Sequence, residues 1–135
     1  MADIEELAYS AGLFDGEGSI SLVRQKNNRS HSPQVSVAST DHEVLHWLHE
    51  RFGGSIVTKQ PRHANHSVSY DWRLTDRRAL NFLKLIRPYL IIQRKIRRVD
   101  LLLNDYIACT PRNGRYTEEM AERKQALLET FFSLP

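Results

Sequence analysis

The sequence lacks both a second cysteine and any long hydrophobic run. Cys109 stands alone, without a His-x-Glu or Cys-x-x-Cys pattern, which excludes an internal disulfide and a cysteine-rich zinc site and suits a buried apolar filler. The apolar runs fall well short of the roughly 20 residues that a membrane-spanning helix needs. The first residues, MADIEEL, are acidic where a signal peptide is basic. These absences predict a soluble, intracellular protein with no membrane partner.

A large excess of charge of one sign is also absent. Nineteen Lys and Arg against sixteen Asp and Glu give a net charge of only +3, so the total alone does not indicate a nucleic-acid partner. The distribution is more informative, because acids crowd the first turns of predicted helices while bases lie among His, Asn, Ser and Gln between residues 24 and 73. That asymmetry favours a surface facing a polyanion, although ordinary solvated strands remain an alternative. The bases are Arg24, Lys26, Arg29, Lys59, Arg62 and Arg73.

The length of 135 residues and the 41% hydrophobic content predict one domain, spanning residues 1–135. Asp3 and Glu6 resemble a capping box that starts a first helix, which is expected to end at the turn DGEG, residues 15–18. Thr40 and Glu43 give a similar pattern before a second helix at about 41–52. Two pairs of alternating segments, near 20–38 and 55–74, predict β-hairpins.

The predicted element order is αββαββα with a trailing helix over residues 117–133. Each hairpin has one apolar and one polar face, so the fold class is α+β. It consists of an antiparallel sheet that helices cover on one side only. The other face is left for a partner.

The stretch at residues 10–18, SAGLFDGEG, resembles the signature of the LAGLIDADG homing endonucleases. Ser replaces the first Leu, Phe replaces Ile, Gly replaces the second Ala and Glu replaces the second Asp. The segments FGGSI, YDWRLTD and NFLKLIRPYLIIQRK also fall where single-motif members carry comparable sequences. The resemblance covers a core of roughly residues 4–108, followed by a loop and helix at 109–135. It implies a saddle-shaped sheet.

Small residues in the first helix allow another helix backbone to approach closely. The chain contains one such helix, so a second copy must supply the partner, and we expect a homodimer whose interface includes Ala8, Ala11, Gly12 and Asp15. A two-fold axis would then bring two carboxylates together at one end of the helix pair. Divalent cations would relieve their repulsion.

The family resemblance assigns roles to individual residues. It implies that Glu17, with Gly16 beside it, holds Mg²⁺, that Mn²⁺ substitutes, and that Ca²⁺ binds without supporting cleavage. It makes Asp15 structural, an acceptor of backbone N–H groups near the turn. A plain helix C-terminus with two solvated acids is the alternative interpretation of DGEG.

Other catalytic positions transfer less directly. Ser39 or Thr40 is expected to orient water at the end of the second strand, although Thr40 also suits a helix cap. Relatives carry a lysine after the segment PYLII, whereas this chain has Gln93. We therefore favour Lys95 over Arg94 for the basic role, and phosphate contact is the alternative for both.

The polar face of the sheet is expected to contact DNA in the major groove, which a two-stranded ribbon can enter. Alternation selects residues in the first, second and fourth strands. The register of the third strand is ambiguous, and the two hairpin tips would reach the flanks of the site. The candidates are Ser21, Val23, Gln25, Lys26, Asn28, Arg29, Gln34, Ser36, Ala38, Thr58, Lys59, Gln60, Arg62, His63, Asp71 and Arg73.

The resemblance implies a site-specific endonuclease that binds a long, nearly palindromic double-stranded DNA site as a homodimer. It implies hydrolysis of both strands with short 3′ overhangs, and a gene that moves with an intron, an intein or a phage genome. The expected location is the cytoplasm or nucleoid of a microbe, a phage-infected cell or an organelle. An RNA maturase and a DNA-binding regulator that does not cut are the alternatives on the same fold.

Overall fold

The computed structural model describes residues 2–24, 31–59, 68–109 and 117–135. The chain divides into two compact units, residues 1–91 and 92–135. The assignment of a single domain therefore stays a prediction.

The first unit contains α1 (Ile4–Glu17), β1 (Gly18–Arg24), β2 (His31–Ser39), α2 (His42–Phe52), β3 (Ser55–Lys59), β4 (Ser69–Thr75) and α3 (Asp76–Ile86). A short 3₁₀ turn (Arg87–Tyr89) follows α3.

Helix α1 begins as the sequence predicts and ends later than expected. The Asp3 side chain accepts the N–H of Glu6, and the Glu6 carboxylate accepts the N–H of Asp3, so the capping box is complete. The expectation that the helix stops at a DGEG turn is wrong, because the helix continues through Glu17. The N–H of Gly18 donates to the carbonyl of Phe14, which closes the final turn. The acids therefore lie on the helix itself.

The four strands form one antiparallel sheet in the order β1-β2-β4-β3. Each predicted hairpin is present, and β2 pairs with β4 to join the hairpins in the centre of the sheet. Side chains alternate between the two faces, so every second residue is buried against helices. The α+β fold with an antiparallel sheet and helices on one face is thus confirmed.

Aromatic side chains dominate the core between the helices and the sheet. Trp72 is fully buried on β4, and its ring contacts that of Phe82 edge to face, with 5.2 Å between centroids. Its indole N–H donates to the carbonyl of Gly53 at 2.8 Å, so the buried polar group is satisfied. Phe14 from α1 and Phe52 from α2 contact the ring of Phe82. The core therefore ties α1 to the sheet.

The face of the sheet opposite the helices is here called the open face. It includes Ser19, Ser21, Val23, Gln34, Ser36, Ala38, Ser55, Val57, Lys59, Asp71 and Arg73. The β3–β4 register resolves the ambiguity of the third strand, because Lys59 pairs with Ser69 and Thr58 pairs with Tyr70. Directly opposed residues share a face, and Tyr70 alternates with Asp71 and shares the face of buried Trp72. Of the candidates left open in this strand, Lys59 therefore lies on the open face and Thr58 on the opposite face, which corrects the inclusion of Thr58 among the DNA-contacting residues.

Gly18 sits where α1 passes into β1, and we expect its replacement by alanine to destabilise the protein. A Cβ atom at this position would overlap the ring of Phe14, which is fully buried. Relieving such an overlap by moving core side chains costs about 1–3 kcal/mol. Urea unfolding followed by circular dichroism checks this. The neighbouring Ser19→Ala, at an exposed position, is expected to change the free energy of unfolding by less than about 0.5 kcal/mol. Equal stability of the two variants would contradict the prediction.

The second unit consists of helices. Helix α4 (Gln93–Leu101) continues as a π-helical segment (Leu102–Tyr106) and then as a 3₁₀ turn (Ile107–Cys109). Helix α5 (Glu118–Ser133) follows. Thr117 caps α5 by accepting the N–H of Met120. The buried Lys124 ammonium lies over the ring of Tyr106, 4.1 Å from its centroid. The predicted trailing helix is present. Within the described ranges, none of the helices combines the length and apolar character that crossing a bilayer requires.

Candidate functional site

One side of α1 is exposed along its whole length, and three of its residues are small. Ala8, Gly12 and Gly16 recur every four residues on this side, so they lie above one another along the helix. We call these three residues the small-residue stripe. A Cβ added to Gly12 or Gly16 would meet no atom within 4 Å. The fold of one chain therefore does not require glycine at either position.

Two of the residues assigned to a dimer interface lie elsewhere. Ala11 is fully buried and Asp15 is only 9% exposed, both inside the chain. The helical period of 3.6 residues separates them from the exposed stripe. Ala8 and Gly12 remain available to a partner, and Gly16 joins them. The sequence alone did not separate the two sides, because small residues occur on both.

Asp15 has a role within the chain. Its Oδ2 accepts the N–H of Ile91 at 2.9 Å, which joins the end of α1 to the segment after the 3₁₀ turn. An acceptor of backbone N–H groups was expected here, although the donor lies far along the chain and not in the neighbouring turn. The bond satisfies a buried carboxylate and fixes the helix end.

Glu17 is exposed at the end of α1 and borders an open depression. The same depression is lined by Ser39 and Thr40, and by Asp41. The structure thus brings together three residues that the sequence assigned to catalysis. Tyr9, Leu13 and Val44 supply apolar walls.

The expected cap of α2 is displaced by one residue. The N-cap is Asp41 and not Thr40, and the Asp41 side chain makes no capping hydrogen bond. The Ser39 hydroxyl instead accepts the N–H of Asp41 at 2.9 Å, so this hydroxyl holds the strand-to-helix turn. Sequence reasoning missed Asp41 because the Thr40 and Glu43 pattern resembles a capping box, which places the N-cap one residue earlier. Asp41 adds a second carboxylate to the depression.

The electrostatics at this end of α1 favour a cation. A helix C-terminus carries partial negative charge, and an acid there raises that negative potential further. The last turn of α1 contains no basic residue that would offset it. Within the described part of the chain, no group of three or more His, Cys, Asp or Glu could hold a metal unaided. The Glu17 carboxylate and the Gly16 carbonyl oxygen are hard donors of the kind that Mg²⁺ accepts together with water and phosphate, so their chemistry fits this ion.

Most of the assigned DNA-contacting residues in the described strands lie on the open face. Ser36 and Arg73 are directly opposed, and Ser55 opposes Arg73 from the other side, so three strands form one polar row. Ser21 opposes Gln34 in the next row. Val23 and Ala38 share the face and are apolar. Seven other candidates lie outside the described residues: Gln25, Lys26, Asn28, Arg29, Gln60, Arg62 and His63.

Asp71 forms the centre of an ionic cluster on the open face. Its Oδ2 lies 3.0 Å from Nζ of Lys59 and 3.0 Å from Nη2 of Arg73. The Asp71 side chain is 7% exposed, whereas those of Lys59 and Arg73 are 50% and 36% exposed. Asp71 was assigned to direct DNA contact, but it is covered by its two partners. The sequence does not reveal this cluster, because the three residues come from two strands.

The remaining catalytic candidates belong to the second unit. Gln93 and Arg94 are exposed at the start of α4, and Lys95 is 8% exposed. Burial distinguishes Lys95 from its neighbours, since a lysine is seldom buried without a partner. The catalytic roles of Gln93 and Lys95 stay predictions.

Comparison with known proteins identifies the family. A LAGLIDADG-like domain matches residues 5–87, which contain α1 except for its first residue, the whole sheet, and α2 and α3. The chain belongs to the LAGLIDADG family. Comparison with curated protein sequences finds no match.

Several solved homing endonucleases share the fold. I-CvuI in complex with its target and calcium superimposes with a TM-score of 0.73 at 18% identity, covering 97% of this chain and 82% of that chain. The archaeal intron-encoded I-Vdi141I, complexed with DNA, gives 0.58 at 20% identity, with 93% and 83% covered. I-SmaMI, bound to an uncleaved DNA target with calcium, gives 0.65 at 20% identity, with 93% and 44% covered. This chain therefore matches less than half of the longer I-SmaMI chain.

Proposed function

We propose that this protein is a homodimeric, site-specific DNA endonuclease that needs a divalent metal ion. The observation that carries the proposal is the position of Glu17. It is an exposed carboxylate at the end of the small-residue stripe, one residue before the strand that begins the open face. A single residue thus lies at the junction of a surface suited to a second copy and a surface suited to DNA.

The proposed dimer forms through the small-residue stripe. Glycine is the weakest helix former apart from proline, costing about 1 kcal/mol relative to alanine in a helix interior. Gly12 and Gly16 accept that cost although a Cβ would find open space at both positions. Close approach of a second helix backbone would explain why neither position carries a side chain. Two-fold pairing then doubles every contact.

Pairing along this stripe would bring the two Glu17 carboxylates near the symmetry axis. Two like charges at short distance repel unless a cation lies between them. Glu17 and the Gly16 carbonyl from each chain would hold Mg²⁺, with phosphate and water oxygens completing the coordination. When bound, Mg²⁺ supplies an activated water and stabilises charge on the phosphodiester.

The other residues of the depression would position the reacting groups. Thr40 is exposed and lines the same depression as Glu17, and its hydroxyl is suited to orienting a water molecule by hydrogen bonding. Ser39 supports it by fixing the turn at Asp41. Gln93 and Lys95, with Arg94 as the alternative, belong to the second unit, and the part assigned to them in cleavage stays a prediction. The two symmetric centres would cut opposite strands and leave short 3′ overhangs.

The open face would lie in the major groove. Arg73 is suited to guanine and Gln34 to adenine, since these side chains match the acceptor and donor edges of those bases. Ser21, Ser36 and Ser55 add small hydroxyl groups to the same rows. A homodimer would require the target to be nearly palindromic.

A plasmid-cleavage experiment tests the proposal. Purified protein is incubated with a supercoiled plasmid library that carries randomised inserts, with Mg²⁺ or with EDTA. We expect linear product from a subset of inserts with Mg²⁺, and none with EDTA. Sequencing the cut ends would reveal a nearly palindromic site. Binding to duplex without metal-dependent cleavage would refute the endonuclease proposal and favour a regulator, and stronger binding to RNA would favour a maturase.

A further inference from the structure

The ionic cluster of Asp71, Lys59 and Arg73 has an arrangement that direct base recognition does not explain. One carboxylate oxygen contacts both cations at 3.0 Å. The Asp71 side chain is almost fully covered, and the residues opposite it on the neighbouring strands are Ala38 and Val57. Asp71 therefore meets its two cations and an apolar row. Its carboxylate is therefore not accessible as a hydrogen-bond acceptor for an approaching base.

Arg73 depends on this contact for its orientation. Its Nη2 donates to Asp71, while its Nε–H is buried and has no hydrogen-bond partner within the described residues. Ser36 and Ser55, opposite Arg73 on the two neighbouring strands, are short. The carboxylate of Asp71 is thus the anion that fixes the direction of the guanidinium group.

We propose that Asp71 is a positioning residue that sets DNA specificity by holding Arg73 and Lys59 on the open face and neutralising one of their two charges. This inference rests on the proposed DNA-binding function. An acid beneath two cations opposes binding to any phosphate that happens to lie near. The same acid holds the guanidinium group of Arg73 in one orientation, in which its N–H donors can pair with the correct base edge.

Removal of Asp71 would have opposite effects on the two kinds of binding. Lys59 and Arg73 would both be released, and each could reach a phosphate. Affinity for DNA of arbitrary sequence would rise, because each additional neutralised phosphate releases counterions. Discrimination between sites would fall, because a mobile guanidinium pairs less selectively. A residue that only supports the fold would not produce this pair of changes.

The experiment measures binding of a random-sequence duplex over a range of salt concentrations. It compares wild type with Asp71→Asn, which keeps the shape, and Asp71→Glu, which keeps the charge. The matched control is Glu50→Gln, which changes the net charge equally at an exposed position on α2. The Phe52 ring of α2 lies near that of Trp72, so this helix packs against the face of the sheet opposite the open face.

We expect Asp71→Asn to steepen the slope of log K against log salt by about one unit and to raise affinity about three- to tenfold near 0.1 M salt. Asp71→Glu should stay close to wild type, and Glu50→Gln should change the slope by less than about a third as much. On a cleavable site recovered from the plasmid library, Asp71→Asn should also lose preference over random sequence.

An unchanged slope in Asp71→Asn, or an equal change in Glu50→Gln, would overturn the proposal. If Asp71→Asn does not fold, Asp71→Ser serves in its place, and failure of both to fold would overturn the proposal by making Asp71 a stability residue. Wild type that does not bind duplex at low salt would instead refute the proposed function. The two failures are therefore distinguishable.

Discussion

Replacing Glu17 with glutamine is expected to reduce the rate of DNA cleavage by at least about a hundredfold while duplex binding is retained. Glutamine has the same size as glutamate, and its neutral amide oxygen is a much weaker ligand for Mg²⁺. Glu17 is exposed at the helix end, so the substitution should leave the fold unchanged. It also removes two like charges from the proposed symmetry axis. Binding of DNA should therefore be equal or tighter.

The measurement is single-turnover cleavage of a selected duplex, together with binding in Ca²⁺. The matched control is Glu5→Gln, because Glu5 is also an exposed acid on α1 but lies in its first turn. It loses the same charge far from the depression, and we expect at least half of the wild-type rate. If Glu17→Gln cuts as fast as Glu5→Gln, Glu17 is not a metal ligand. If both variants lose binding, the defect lies in charge on α1 generally.

Much of the fold was predictable because it depends on local patterns. The capping box at Asp3 and Glu6 involves two residues within one turn, and the structure contains both of its hydrogen bonds. The alternation in β4 places Trp72 in the core and Arg73 on the open face, as a period of two requires. Element order follows from such signals, since each needs only a short window of sequence.

The errors concern properties that a short window does not contain. Whether Thr58 or Lys59 faces the helices depends on the register between β3 and β4, and the pairing with Tyr70 decides it. The burial of Ala11 depends on which side of α1 meets the sheet. Apolar and small residues on several sides of a helix leave that choice open.

The sequence predicted the main residues of the candidate site but not all of their neighbours and contacts. The motif located Glu17, and the position of Ser39 and Thr40 at a strand end located the neighbours of its depression. Asp41 was missed because a one-residue shift of a helix cap is beyond what sequence patterns resolve. The contact of Asp71 with Lys59 was missed because it joins residues on adjacent strands.

Leucine at position 8 or 12 is expected to abolish dimer formation without unfolding the chain. Ala8 is exposed and Gly12 has open space around its Cα, so each leucine projects from the surface of a single chain. In a helix, leucine is also favoured over glycine by about 0.8 kcal/mol. The monomer of Gly12→Leu should therefore be as stable as wild type or more stable, and that of Ala8→Leu should stay within about 0.5 kcal/mol of wild type.

The proposed helix pair would respond in the opposite way. Overpacking a close contact costs about 1–3 kcal/mol at each side chain, and two-fold symmetry applies the cost twice. A loss of about 2 kcal/mol or more raises the dissociation constant of the dimer at least about 30-fold. Because each strand requires its own Glu17 in the proposed mechanism, cutting of both strands should be lost with the dimer.

Sedimentation equilibrium and circular dichroism check the two halves of this prediction for Ala8→Leu and Gly12→Leu. The matched control is Ala121→Leu, an identical change at an exposed position on α5, which should remain as dimeric and as active as wild type. Dimeric Ala8→Leu and Gly12→Leu would show that the small-residue stripe is not the contact between copies. Monomers that retain double-strand cleavage would separate catalysis from pairing and would contradict the two-fold arrangement of Glu17.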